Sequence, residues 1–292
     1  MATKKPDNPN KINSTVAKET DKSVQITFTI PNQVVEDEIE KILSHEAKHT
    51  AIPGFRSGKA PKHLVRKSFS EETLVNKALS VLLPVALTEA LQTHKLNIIM
   101  YPRFQIIGKR DGVTEVRAVS CESPEIELGD YKAVVSTHKK TDIWVPGKTK
   151  DTSQTSNEQK DAEVVKVLLD HYKNILIPKI LIEEEVNTKL SSLLERLEKL
   201  GLTLESYLQS TGKTAEALRL EYRDQVTNSL LLDFILAKIA AQENIKIDDQ
   251  DALAYFKVAN PNFKGEPKQD QLALLKQVLK KRKALDILRL LV

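Results

Sequence analysis

The chain has 292 residues, more than one domain usually holds, so about two domains are expected, each able to bury its own core. Hydrophobic residues make up 40% and charged residues 29%, while only 9 Gly and 5% aromatics argue against a large β-sandwich or a glycine-rich nucleotide fold and point to helix. The 44 Lys and Arg against 40 Asp and Glu leave +4, too small a surplus to identify a nucleic-acid binder, and the single Cys121 rules out an internal disulfide.

Residues 1–11 are polar, lack the apolar segment of a secretory signal, and read as a disordered N-terminus of a cytoplasmic protein. Residues 12–16 and 24–30 alternate apolar and polar positions, as in an antiparallel hairpin. Val35, Ile39, Ile42, Leu43 and Ala47 then recur at helical spacing until Pro53-Gly54 stops the run. Pro61 can open a short helix to Phe69, and Ser70 a longer one to about His94. The richest apolar stretch there, 79–87, is interrupted by Ser80 and Pro84 and falls short of the ~20 residues of a membrane span, so no membrane partner is expected. Two strands follow, 97–107 and 113–121, around the Asp111-Gly112 turn signal.

The order β-β-α-loop-α-α-β-β therefore fills residues 12–122. Residues 147–161 contain no apolar side chain, so 123–161 reads as an extended connector ending in a solvated linker. From 162 to 292 the pattern is helical: 162–174, 178–200 with a stripe of Leu190, Leu193, Leu194, Leu197 and Leu200 ended by Gly201, then 204–209, 214–243, 249–258 and 270–291. The expected fold class is α+β, with an all-α unit of helical hairpins after the mixed one.

Two motifs carry chemistry. His45-Glu46-Ala47-Lys48-His49 matches the H-E-x-x-H pattern of zinc hydrolases, in which helical spacing brings two imidazoles to one metal beside a glutamate base. Ile52 and Phe55 stand where the metzincin extension needs Gly and His, and both histidines sit at the edge of the apolar stripe. The plainer reading, a polar helix end, leaves the protein without metal or cofactor. Elsewhere, Glu183-Glu184-Glu185 opens a helix and suits its dipole, and Cys121 lies in a strand pattern as a core residue.

The second motif is the loop from Ile52 to Pro61. Gly54 and Gly58 permit a tight excursion, Pro53 and Pro61 stiffen its ends, Arg56 and Lys59 can meet phosphates, and Phe55 can stack or fill an apolar pocket. Between Glu46 and Glu71 there is no acidic residue, whereas Lys48, Arg56, Lys59, Lys62, Arg66 and Lys67 are all basic.

The string Gly54-Phe55-Arg56-Ser57-Gly58-Lys59-Ala60-Pro61 resembles the ribosome-docking signature of the trigger factor family of bacterial chaperones. The element order of 12–122 is similar to that family's tail domain, and Pro124-Glu125-Ile126-Glu127-Leu128 resembles its exit segment. Residues 177–186, Leu204-Glu205-Ser206-Tyr207-Leu208, and 231–243 with Ile245-Lys246-Ile247-Asp248 resemble its helical substrate-binding domain.

The resemblance implies that Phe55, Arg56 and Lys59, framed by Gly54, Ser57 and Gly58, contact ribosomal RNA and a ribosomal protein at the exit tunnel. Ser57 departs from members that carry a further cation there. It also implies an ATP-independent holdase for nascent or unfolded polypeptides. The family's FKBP-like prolyl isomerase domain is missing from this reading, because the stretch from Asp130 to Asp161 is shorter than the ~50 residues of a small domain; no enzymatic activity is therefore expected. The competing functions are a zinc hydrolase and a chaperone or RNA-binding protein that never docks on the ribosome. Client-contacting residues and a homodimer of the free chain are left open.

Overall fold

The computed structural model describes residues 11–48, 55, 61–110, 112–137, 153–259, 265 and 267–291. Most of the segment predicted to be disordered, residues 1–10, lies outside them, as do Gly54, Arg56, Ser57, Gly58 and Lys59 of the loop, His49 and Trp144. The chain divides into two compact units, Met1–Ser123 and Pro124–Val292.

The first unit is a four-stranded antiparallel sheet in the order β1-β2-β4-β3, built from β1 (Asn13–Lys18), β2 (Ser23–Pro31), β3 (Arg103–Arg110) and β4 (Val113–Cys121). Val16 pairs with Ile26 and Phe28 with Val116, so the alternation of β2 puts Val24, Ile26, Phe28 and Ile30 on one face, all fully buried. Gly112 adopts φ +80° in the β3–β4 turn, where a side chain would be strained. The register shifts between Ile106 and Gly108, a bulge in β3.

Helices α1 (Asn32–Glu46), α2 (Lys62–Lys67) and α3 (Glu71–His94) stand between β2 and β3 in the chain, and their apolar residues join the sheet's inner face in one core. α1 buries Val35, Ile39 and Leu43, one position per turn. α3 is capped by the Ser70 hydroxyl, which accepts from the Thr73 N–H at 3.1 Å, and it buries eight residues from Leu74 to Ala90. By length and composition α3 could cross a membrane, a property the broken apolar run did not suggest. The apolar residues it buries belong to the core facing the sheet, which is the reason a helix of this composition stands there.

The second unit contains α4 (Tyr131–Ser136), α5 (Ser153–Tyr172), α6 (Lys179–Lys199), α7 (Leu204–Thr211), α8 (Ala215–Gln242), α9 (Asp249–Ala259) and α10 (Gln269–Arg289). α8 is the central helix, packed by α5, α6 and α10 around Val226, Leu231, Ile235 and Ile239. Gly201 (φ +68°) ends α6, Thr203 caps α7, Gly212 (φ +65°) ends it, and Thr214 caps α8.

The extended connector expected over 123–161 is corrected at two places. Asp130 accepts a hydrogen bond from the Ala133 N–H at 3.1 Å and starts α4, whose Tyr131 and Val135, one turn apart, enter the second core with Ile126 and Leu128. Tyr131 thus opens a helix inside the stretch expected to be an extended connector. α5 begins at Ser153, nine positions before the predicted 162, because a helix anchored further on by Val164, Leu168 and Tyr172 propagates back at little cost per residue, with Gln154, Glu158, Gln159 and Lys160 as its good helix formers.

Candidate functional site

The basic loop of the first unit springs from the end of α1 and returns at α2. Its two stems are fixed by ion pairs reaching across helices. Lys77 of α3 donates to Glu46 at 2.7 Å and lies over the Phe69 ring at 4.7 Å. Arg66 of α2 forks onto both oxygens of Glu36 in α1 and donates to Glu71 of α3 at 3.1 Å. These carboxylates keep the Arg66 guanidinium charged, raising its pKa, and they neutralise it.

Of the basic residues counted in this window, Arg66 therefore serves the stem. Lys48, Lys62 and Lys67 are exposed, and none has a carboxylate partner among the described residues. Phe55 is 42% exposed, so the one described residue of the loop tip is accessible.

The same pairs bear on the zinc motif. Glu46, which a hydrolase would use to take a proton from water, holds Lys77, and His45 is exposed at the helix end. Among the described residues no three His, Cys, Asp or Glu side chains converge as a metal site would require.

The second unit carries a groove that the sequence reading left unassigned. α7 turns the chain so that α8 runs back along α6. Leu190, Leu193, Leu194, Leu204, Ala215 and Leu218 line a cavity of 290 Å³, and Ile182, Glu183, Val186, Leu220 and Arg223 line another of 300 Å³. Glu216 and Arg219 belong to both, so the two form one trough with a leucine end and a charged end. Of the predicted leucine stripe only Leu197 is buried; Leu194 is 48% and Leu200 66% exposed. Five leucines at helical spacing were the available signal, but an unburied stripe and a core-facing one have the same periodicity.

The model for bacterial trigger factor protein matches residues 12–145, and the model for the trigger factor C-terminus matches residues 149–289. This chain belongs to the trigger factor family.

Trigger factor of Lactiplantibacillus plantarum is 30% identical over 142 residues, which are 48% of this chain and 32% of that protein. Those of Streptococcus suis and Natranaerobius thermophilus are 31% identical over 137 residues (45% and 32%) and 28% identical over 144 (48% and 32%). The matched stretch is thus about a third of these relatives' length. A solved chain, from work on promiscuous substrate recognition in folding and assembly activities of the trigger factor chaperone, superposes with TM-score 0.61 at 14% identity. It covers 95% of this chain and 99% of its own length, a likeness of fold.

Within the trigger factor frame, the α1–α2 loop and the α6–α8 groove fall in the N-terminal and C-terminal matches respectively. The two matches are separated by residues 146–148 alone, which leave no room for an isomerase domain between them.

Proposed function

We infer that this chain is an ATP-independent holdase of the trigger factor family, working in the cytoplasm, that docks beside the ribosomal exit tunnel and shelters nascent or unfolded polypeptides. The observation that carries this reading is the Gly54–Pro61 signature standing between α1 and α2 inside the stretch matched by the trigger factor model. Phe55 would anchor the contact. Arg56 and Lys59 would meet ribosomal RNA phosphates or an acidic side chain of a ribosomal protein, with Gly54, Ser57 and Gly58 shaping the turn. Lys48, Lys62 and Lys67 add a basic rim, supported by their exposure.

The helical unit would cover apolar client segments with the trough between α6 and α8. Leu194 and Leu220 in it are exposed and Leu190, Leu193 and Leu204 half-buried, and weak contacts spread along the trough allow the rapid release that a holdase needs. The chain binds without catalysing prolyl isomerisation, since the two family matches nearly abut.

Two assays test the reading. The purified chain should slow aggregation of a denatured model protein on dilution without ATP, and it should pellet with ribosomes at low salt and leave them as salt rises. Aggregation proceeding at its unassisted rate removes the holdase; equal affinity for naked RNA and for ribosomes replaces docking with general RNA binding. Zinc bound in near-stoichiometric amount would restore the hydrolase.

A further inference from the structure

We propose that the open edge of β3 accepts an extended polypeptide segment as an additional antiparallel strand, one in which acidic residues precede a run of alternating apolar and polar ones, with Lys109 and Arg110 meeting the acids. This goes beyond the functions inferred above, since it uses neither the α1–α2 loop nor the α6–α8 trough.

In the order β1-β2-β4-β3, β3 pairs with β4 and with no other strand, so the N–H and C=O groups along its far side have no strand partner. The edge continues upstream of β3, where the Ile99 N–H donates to the Cys121 carbonyl at 3.0 Å. β1 forms the other edge of the sheet, but it exposes no large apolar side chain. Along the β3 edge Ile99, Tyr101, Ile106 and Ile107 are all exposed, Tyr101 by 67%. The Tyr101 ring stands edge-on to Phe104 at 6.0 Å, and Phe104 meets the buried Phe28 at 6.4 Å, so this apolar rim is braced on the core. Unpaired backbone beside exposed apolar side chains is the arrangement that strand addition uses.

Charge selects the occupant. From Lys95 to Arg110 the chain holds Lys95, Arg103, Lys109 and Arg110 and no acidic residue. Lys109 and Arg110 are exposed, and neither has a carboxylate partner among the described residues. β4 behind them carries Glu115 against Arg117, and Asp111 in the turn still leaves this edge positive. A second copy of the chain is the occupant these charges oppose, because antiparallel pairing of β3 with itself along its whole length sets Arg103 opposite Arg110 twice. The bulge after Ile106 adds to that guard. An acid-led segment meets the same cations with the opposite sign, and antiparallel entry brings its leading end beside Arg110. Successive side chains of a strand point to opposite faces, so Lys109 and Arg110 flank the edge from both sides and two adjacent acids can meet them.

The test uses the full chain and fluorescein-labelled peptides of alternating Val and Thr led by two Glu, two Gln or two Lys, compared by fluorescence anisotropy and hydrogen exchange. The Glu-led peptide should bind about fivefold more tightly than the Gln-led one, as expected for exposed ion pairs, and the Lys-led one most weakly. That preference should shrink as salt rises. On binding, amides of residues 103–110 that face the open edge should gain protection while those of α6 and α8 do not. N-methylation of two adjacent central amides of the Glu-led peptide removes a donor from each of its edges with the side chains unchanged, and should weaken binding at least tenfold. Lys109→Gln with Arg110→Gln, which alters exposed positions and should leave the circular dichroism unchanged, should level the Glu-led and Gln-led peptides. Protection confined to the helical unit, undiminished binding of the N-methylated peptide, equal binding of all three peptides, or failure of all three to bind overturns the inference. So does protection of 103–110 that rises with protein concentration in the absence of peptide, which would assign the edge to a second copy. Ribosome docking and client binding in the trough are left standing by each of these results.

Discussion

Replacing Arg66 with Ala isolates what holds the loop's return stem. α2 has six residues, too few to persist by helix propensity, and it buries only Val65. Its other attachments are the pairs of Arg66 with Glu36 and Glu71. The guanidinium is 35% exposed and the Glu71 side chain 73% exposed, so the Glu71 contact contributes close to nothing. The two-pronged contact with Glu36 contributes about 1 kcal/mol. Loss of about 1 kcal/mol should raise the population of locally opened α2 about fivefold. Hydrogen exchange followed by mass spectrometry should therefore show amides of residues 62–69 exchanging about fivefold faster in the variant, with β2 and β4 unchanged. High salt should accelerate the same amides in the wild-type chain and have little effect on the variant, because only the former has a pair to screen. Unchanged exchange in 62–69, or equal acceleration through the sheet, would refute this account of the stem.

Three further outcomes follow from the packing and the ionisable groups. Leu74→Ala, which empties a site only 1% exposed between α3 and the sheet, should destabilise the first unit by about 3 kcal/mol in urea unfolding; a loss below about 1 kcal/mol would mean that the site collapses or is not core. The Cys121 thiol is pushed up to about 11 by burial, with the Asp21 charge adding, so at pH 8 a thiol reagent should modify the native chain about a hundredfold more slowly than the denatured one; equal rates would contradict its burial. The Glu243 carboxyl is held below its ordinary value by Lys132, at 2.6 Å, and by the Tyr131 hydroxyl. A carboxyl depressed in the folded state stabilises it fully above its unfolded pKa, and that contribution is lost as pH falls through the folded value. Exchange protection of α4 should thus drop below about pH 4.5, and Lys132→Met should blunt that drop; a pH-independent α4 would contradict the clasp.

Much of this architecture is legible in local patterns. The alternation of Val24, Ile26, Phe28 and Ile30 makes β2, and the ends of α3, α6, α8 and α9 follow from Ser70, Gly201, Thr214 and Asp249 in the sequence. What escapes a local reading depends on partners far along the chain. Residues 153–161 are polar enough for a linker and become helix because Val164 and Leu168 behind them are fixed by the second core. Asp130 is a local cap signal for α4, but what holds that short helix includes the hydrogen bond from the Tyr131 hydroxyl to Glu243, more than a hundred residues on. Arg66 counts toward a basic window in sequence, yet Glu36, thirty residues earlier, neutralises it. The exposed leucines of α6 were in view, but whether a helical stripe faces a core or a groove is decided by the helix laid against it.

The docking claim is tested most directly by sedimenting the full chain with ribosomes, wild type against Phe55→Ala/Arg56→Ala/Lys59→Ala, across a salt series. The account predicts that the wild-type chain pellets with a salt-dependent affinity and that the triple variant, with unchanged helical circular dichroism, stays in the supernatant. A folded triple variant that pellets as well as the wild type, with the same salt dependence, would contradict it.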